Sequence, residues 1–569
     1  MTSEPARREN AVAFVVARLN SSRLEAKQFR TIGDRSLLDW IIERLRASRE
    51  LSRIVLTTVA EPGNLPLRDY AAEHGIDCFW YEGDPNHVTH RLSSAAQAFQ
   101  ADICVLISGD CPLVDGPLVD LMIAALRETP RAQAVAVPPR ADGAVAYTEG
   151  IGVFRRRAWV EGDELADRPE LKENHFPTVW RHPERFPVLP LSLPDVYYGP
   201  HHRISVDTPA DLDFMNRLYQ LLVDRGLKFT LPNVLDLLWR QPELCEINRH
   251  VHQRRLGETH LQVVYAVDCG PDYGYGHLMR SRELGRRIVE QLSWPVTFVV
   301  DDPRGAELLL EQGGRVVWGA VGRERRPLPA SLSRLQSVNW AGHDLLLLDL
   351  YPRPLPESWR APLGTMPLVV LDCLLPWTDA ADLILVPGIA AAESSGDSSR
   401  IFSGLEYTLL RREVVEQPAT EKTLDLLAYL PEANKRSMLR KLAEAYGWSL
   451  RVADGGSSHF VNDLARARVF LGNFGVSVYE ALRLGTVPVV WPISERHAAE
   501  ARRFYSRLGL PELLIDGVDE LPEVMRRLQH QPLSLPRVPD GTPAVLSALR
   551  RRFLSSVETS ENREVSPRS

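Results

Sequence analysis

Near the middle of the chain an apolar, strand-like run ends in Asp268, a loop with glycines at 270, 274 and 276 follows, and helix signals begin after it. A buried strand, a glycine-bearing loop and a helix N-terminus, in that order, open an α/β unit and make a site for a phosphate or a reacting group. Such an opening at mid-chain means that an α/β unit starts twice, so one sheet cannot hold this sequence. The length of 569 residues agrees, because a single hydrophobic core stops growing at roughly 250–300 residues.

The remaining bounds exclude more than they assign. Apolar content of 44% and charged content of 25% are those of an ordinary globular protein. A net charge of −7 gives no basic field for nucleic acid or an anionic membrane. Arg155–157 and Arg550–552 are short basic runs that read as solvated helix faces. Six cysteines lie without a Cys-x-x-Cys pair, which predicts buried thiols rather than a zinc site or a disulfide framework. No apolar run reaches the ~18 residues of a membrane span, and the first residues lack a signal-peptide core. The chain reads as cytoplasmic.

In the first half, residues 11–17 are continuously apolar, as a central parallel strand covered on both faces requires. They empty into a loop carrying Arg18, Ser21, Arg23 and Lys27. Three cations and a hydroxyl beyond a strand's C-terminal end suit a polyphosphate, since Arg forks pair with phosphate oxygens and Lys adds a point charge. Leu37, Leu38, Ile41, Ile42 and Leu45 recur at helical spacing and predict core packing. Residues 54–59 and 103–107 read as further strands, the latter ending in Ser108-Gly109-Asp110. Asp110, and Asp207 in Val206-Asp207-Thr208-Pro209, are placed to hold Mg²⁺ on a triphosphate. Thr208 is also the expected cap of the helix that Pro209 starts.

These pieces resemble the acylneuraminate cytidylyltransferase superfamily, especially its spore-coat-polysaccharide branch. Ala17, Arg18, Ser21, Arg23, Leu24 and Lys27 match the opening signature, residues 109–115 match the Gly-Asp-Cys-Pro-Leu-Val-Asp motif, and 206–209 match the late metal-binding motif. Glu173 and His175 fall in a stretch like the family's Arg-Glu-His, which implies a place near the sugar pocket. Asn20 stands where the family has Gly, and Glu25-Ala26 replace Pro-Gly.

Residues 246–260 are polar, little periodic, and read as the connection between domains. Beyond them, strands at 296–300, 345–348, 368–371 and 383–386 alternate with helical spacers, and a second β/α series begins at 424–429. Four motifs follow in order: Asp268 with Gly274-x-Gly276-His277-x-x-Arg280; Asp349-x-Tyr351; Gly404-x-x-Tyr407-x-Leu-Leu-Arg411; and Gly475-x-Ser477-x-x-Glu480. The set resembles the GT-B-like UDP-sugar hydrolases of pseudaminic acid biosynthesis. That resemblance implies His277 as the general base that activates water, a role imidazole suits because it titrates near neutral pH. It places Asp268 and Tyr351 in the same catalytic set, Tyr351 as a positioning hydroxyl. Tyr407 is implied to touch substrate, and Gly475, Ser477 and Glu480 to hold the nucleotide. After the strand at 424–429 this chain has Leu430-Pro431-Glu432 instead of the family's glycine loop.

The expected fold is therefore α/β: a Rossmann-like nucleotidyltransferase domain (10–245), a linker (246–260), a GT-B-like pair of Rossmann-like domains (261–415 and 420–555) and a disordered tail (556–569). The resemblances together imply a bifunctional enzyme of bacterial surface-glycan biosynthesis. One half uses CTP, Mg²⁺ and a sugar acid; the other hydrolyses a UDP-linked amino-deoxy sugar, with a separate phosphoenolpyruvate-dependent synthase acting between them. Two further readings stand beside it: a glycosyltransferase in the second half, or a non-catalytic nucleotide-sugar-binding protein, which the charges of Glu25 and Glu432 favour. The sequence is silent on oligomeric state, although related cytidylyltransferases are often dimers and a homodimer is compatible with that resemblance.

Overall fold

A computed structural model of the chain describes residues 8–554, apart from 20, 22, 139, 141–143, 175, 253–259, 271–274, 312–313, 318–339, 341, 352–359, 361–363, 372–379, 389–399, 431, 454–458 and 532. The tail at 556–569 thus lies outside the described residues. The chain divides into two compact units, Met1–Glu258 and Thr259–Ser569. Among the described residues no helix is long and apolar enough to cross a membrane.

Unit 1 is built on a seven-stranded sheet of β1 (Ala11–Val16), β2 (Arg53–Val59), β3 (Asp77–Tyr81), β4 (Ile103–Ser108), β5 (Ala134–Ala136), β6 (Ile151–Arg155) and β7 (Val188–Pro190). Its order is β7-β5-β6-β4-β1-β2-β3. All neighbours are parallel except β6, which runs antiparallel to β4 and β5. The apolar run of β1 has its cause in two cores: Ala11, Ala13 and Val15 pack on one face, Val12 and Phe14 on the other. Full burial of each larger side chain among them, Val12, Phe14 and Val15, contributes about 1.5–3 kcal/mol relative to exposure. Helix α1 (Leu37–Arg46) begins in a capping box between Ser36 and Asp39 and buries the five residues its spacing singled out.

The stretch expected to be linker begins on unit 1. Asn248 is buried, and its amide donates to Asp211 at 2.9 Å. The side chains of His250, His252 and His260 are half-buried rather than free in solvent. Of the six cysteines, Cys104, Cys111, Cys245 and Cys269 are buried free thiols and Cys78 is half-buried. Cys373 lies outside the described residues.

Unit 2 holds two sheets, both parallel throughout. The first comprises β8 (Val263–Val267), β9 (Val296–Val299), β10 (Arg315–Val317), β11 (Leu345–Asp349), β12 (Leu368–Leu371), β13 (Leu383–Pro387) and β14 (Ile401–Gly404), in the order β10-β9-β8-β11-β12-β13-β14. This is the doubly wound order, reversing between β8 and β11. The second comprises β15 (Leu424–Tyr429), β16 (Leu450–Val452), β17 (Ala467–Gly472) and β18 (Val487–Val490), in the order β16-β15-β17-β18. Each sheet is packed on both faces. Past the second sheet the chain returns to the first, where Val545, Leu546, Leu549 and Phe553 of the helix Thr542–Phe553 join its core.

Candidate functional site

In unit 1 the strand order reverses between β1 and β4, where ligands of open α/β sheets bind. The two strands pair in parallel with Val16 opposite Ser108, so the loops leaving them emerge side by side. The loop after β1 is folded on itself: Leu19 N–H donates to buried Asn64 at 2.9 Å, Ser21 N–H to Leu19 O at 2.8 Å, and Leu24 N–H to Ser21 Oγ at 3.4 Å. Ala26 takes the left-handed conformation, with φ of 48°. That is where the related signature carries glycine, and an L-residue there costs roughly 1–2 kcal/mol.

This turn delivers Lys27 onto both predicted metal-binding carboxylates. Its ammonium lies 2.6 Å from Asp110 and 2.7 Å from Asp207, residues 83 and 180 positions away. Ser108 Oγ donates to Asp110 at 2.6 Å, and Val206 N–H donates to Asp110 O at 2.8 Å, joining the two motifs. Arg23 adds an ion pair to Asp207 at 2.9 Å, and Arg203 pairs with Asp207 and, at 3.3 Å, with Asp211. Burial opposes the charge of Lys27, yet Asp110 and Asp207 outweigh it and raise the ammonium above its ordinary pKa. Burial likewise opposes the Asp207 carboxylate, but Lys27, Arg23 and Arg203 hold it well below the usual range. Thr208 caps the helix Pro209–Asp224 in a box with Asp211, as expected.

Glu25 lies beside Arg30. Its carbonyl accepts from Arg30 at 3.3 Å, and its charge supports the Arg30 guanidinium. Arg18 reaches Pro85 O at 3.5 Å. Glu173 is exposed at the end of the short helix Pro169–Lys172, and His175 lies outside the described residues. Three residues missed in the sequence belong here: Arg203; Glu149, which accepts from Ile204 N–H at 2.9 Å and Ser205 Oγ at 2.5 Å; and Arg91. Arg91 is 3% exposed, its Nε and Nη1 have no hydrogen-bond partner among the described residues, and burial together with Arg18 lowers its pKa to about 10. Only buried, unpaired guanidinium geometry marks it, which a lone sequence does not display.

In unit 2 the reversal between β8 and β11 again supports a cluster, with Val267 opposite Asp349. Helix α2 (Gly276–Arg287) follows the glycine loop. It presents His277, Arg280 and Ser281, at helical spacing, to Asp349. His277 Nδ1 lies 2.7 Å from Asp349 Oδ1; Arg280 donates from Nε at 2.7 Å and Nη2 at 2.6 Å; Ser281 Oγ donates at 2.7 Å. Asp268 stitches the neighbouring strand ends: its carboxylate accepts Tyr351 N–H at 2.8 Å, and its own N–H donates to Asp349 O at 3.2 Å. Asp349 was read only as part of a motif; it is the residue that holds His277.

The third motif has a structural reason that its sequence did not disclose. Gly404 needs its φ of 133°, Tyr407 packs edge-on to Phe402, Leu409 enters the core of the first sheet and the adjacent Leu410 that of the second. Arg411 then clamps Glu480 through bonds of 2.7 and 2.6 Å and lies 4.9 Å over the Phe460 ring. Glu480 projects from helix α3 (Val476–Arg483), which Gly475 precedes in extended backbone. A cavity of about 550 Å³ joins these parts, with Arg280, Arg411, Tyr429, Phe460, Ser477 and Glu480 in its lining. Glu432 pairs with Lys435 at 3.1 Å, and Lys435 sits over Trp491.

Comparison with known proteins bears on unit 1. Residues 12–225 match the family model described as cytidylyltransferase. Unit 1 carries a cytidylyltransferase domain. Lys27, Asp110 and Asp207 all fall within the matched span. An uncharacterised protein of Methanocaldococcus jannaschii is 25% identical over 253 residues, covering 44% of this chain and 98% of its own length. The spore coat polysaccharide biosynthesis protein SpsF of Bacillus subtilis is 25% identical over 241 residues, 41% of this chain and 96% of its own. The 3-deoxy-manno-octulosonate cytidylyltransferase of Acidobacterium capsulatum is 28% identical over 167 residues, 28% of this chain and 66% of its own.

Proposed function

We propose that unit 1 transfers the cytidylyl group of CTP to the anomeric hydroxyl of a sugar acid, in the biosynthesis of a surface glycan. The observation that carries this is Lys27 bridging Asp110 and Asp207 inside the cytidylyltransferase span. Relatives named for a sugar-acid cytidylyltransferase and for spore-coat polysaccharide support the substrate class. In the reaction the sugar oxygen forms its bond to the α-phosphorus, the α–β bridge breaks and pyrophosphate leaves. Arg18, Arg23 and Lys27 pair with the phosphate oxygens and stabilise the charge that develops on them.

Asp110 and Asp207 fit a divalent cation. Both carboxylates already converge on one positive atom, and hard oxygen donors, one or two per ion, suit Mg²⁺. When bound, Mg²⁺ supplies neutralisation of the triphosphate at these two side chains. The test is pyrophosphate release by the full chain with CTP, Mg²⁺ and a panel of 3-deoxy-octulosonic and nonulosonic acids, with Asp110→Ala as control. Release that the control abolishes supports the assignment. No release above the control with any acid overturns it and favours a binding protein.

For unit 2 the proposal is displacement of UDP from a UDP-linked amino-deoxy sugar, with His277 as base and water as nucleophile. The pairing of His277 with Asp349 favours it. The freed sugar becomes a substrate for cytidylyl transfer only after a phosphoenolpyruvate-dependent synthase has extended it to an acid. Incubation with UDP-sugar alone is decisive: prompt UDP release supports hydrolysis, and release only with an added sugar acceptor assigns a glycosyltransferase instead.

A further inference from the structure

Asp349 closes β11 with none of its surface exposed, and its described side-chain partners can all donate to it: Arg280 twice, Ser281 once and His277 once. Burial works against its charge, but Arg280 and then His277 outweigh it and hold the carboxyl well below the usual range. An ionised carboxylate only accepts, so the 2.7 Å contact requires its proton on Nδ1 of His277. Arg280 Nη2 also lies 3.3 Å from that nitrogen, but its 2.6 Å bond to Asp349 is the shorter. The His277 side chain is 23% exposed while its partner is fully buried, so Nε2 is the end of the ring that looks outward.

We propose that Asp349 is the positioning residue of a His–Asp pair, fixing His277 as the Nδ1–H tautomer so that Nε2 carries the lone pair that takes a proton. The inference rests on the reading of unit 2 as a site of base-assisted displacement. In that step the oxygen of water bonds to the anomeric carbon, and its proton passes to Nε2. The bond from that carbon to the diphosphate breaks, and its electron pair leaves with UDP. The imidazolium that results faces the Asp349 carboxylate, and it returns its proton to solvent. Arg280 and Ser281 saturate the other lone pairs of Asp349, so the carboxylate cannot turn away from the ring.

Asp349→Asn separates this role from mere packing. The amide removes the charge that favours the proton on Nδ1, and with its oxygen toward Arg280 Nε and Ser281 its NH₂ faces His277 Nδ1 and Arg280 Nη2, an orientation in which the His277 proton moves to Nε2. The first measurement is a long-range ¹H–¹⁵N spectrum of the full chain labelled at histidine nitrogen, with the signal assigned by His277→Gln. The Nδ1–H tautomer in the wild type is expected, and Nε2–H overturns the inference with no substrate present and no variant required to fold. The second is UDP release by Asp349→Asn: a loss in kcat of about 10²–10⁴-fold is expected, with KM changed less than threefold. A folded variant that keeps its rate within threefold overturns the inference. If wild-type His277 is Nδ1–H and yet no UDP-sugar is cleaved, it is the reading of unit 2 that fails.

Discussion

Both candidate sites stand where the strand order of a predominantly parallel sheet reverses, and both set a carboxylate at or just past a strand end against a cation. In unit 1 the side chains of Lys27, Asp110 and Asp207 remain 12%, 20% and 16% exposed, and the bridging charge sits at the end of a flexible four-carbon stem. In unit 2 the corresponding figures are 0% for Asp349 and 4% for Arg280, and the cation is a planar fork bonded at both carboxylate oxygens. The first arrangement is exchangeable: a long, wettable Lys can leave its carboxylates for phosphate. The second is scaffold, because a buried pair broken on one side leaves an uncompensated charge. On the functions proposed above, the same residue types are ligands in one unit and support for a third residue, His277, in the other. Exposure decides which.

Four substitutions break or sharpen this contrast. Arg280→Met strands the Asp349 carboxylate in the core, and is expected to destabilise unit 2 by about 3–5 kcal/mol, read by chemical denaturation of the full chain. If it costs under 1 kcal/mol, the cluster is no scaffold. Asp207→Ala removes a carboxylate from the open site and is expected to lower pyrophosphate release by about 10²–10³-fold, in assays with CTP and the accepted sugar acid. Lys27→Met leaves Asp110 and Asp207 facing each other with no bridge. Mg²⁺ without CTP should then stabilise the variant by about 1.4 kcal/mol at ten times its dissociation constant, reversibly with chelator, and leave the wild type unmoved. A thermal shift of equal size in both proteins contradicts exchange. The smallest effect belongs to Ala26→Gly, which relieves the left-handed strain and is expected to raise the denaturation midpoint by an equivalent of about 0.5–1 kcal/mol.

The sheets were legible because their strands are buried on both faces, which leaves apolar runs such as 11–17 and 345–348 with no competing reading. The edge strands β3, β10 and β14, the short β5 and β7 and the antiparallel β6 were not. Three residues carry little pattern, and β6 runs straight into Arg155 and Arg156, whose charges read as a helix face. Lys27, Asp110 and Asp207 were legible as separate loop residues past strand ends, but their convergence depends on pairings across the sheet. For His277 the residue was visible and its partner was not, since 72 positions separate it from Asp349 and no local spacing joins them. Ala26 takes a positive φ, and its residue type gives no such signal. Glu25 has Arg30 beside it, and Glu432 pairs with Lys435.

The meeting of Leu409 and Leu410 with two different cores has a mechanical consequence. The chain passes between the two sheets of unit 2 twice, once after Thr408 and once before Thr542. The two passages touch: Gly541 N–H donates to Thr408 O at 2.9 Å, and a Cβ at Gly541 would come within 2.4 Å of the Tyr407 backbone. Both crossings therefore run side by side at one place. The 550 Å³ cavity draws its lining from both sides of this junction, Arg280 from the first and Arg411 and Glu480 from the second. Arg411 and Glu480 both follow the first crossing and precede the second, so their clamp is internal to the second sheet's side of the junction.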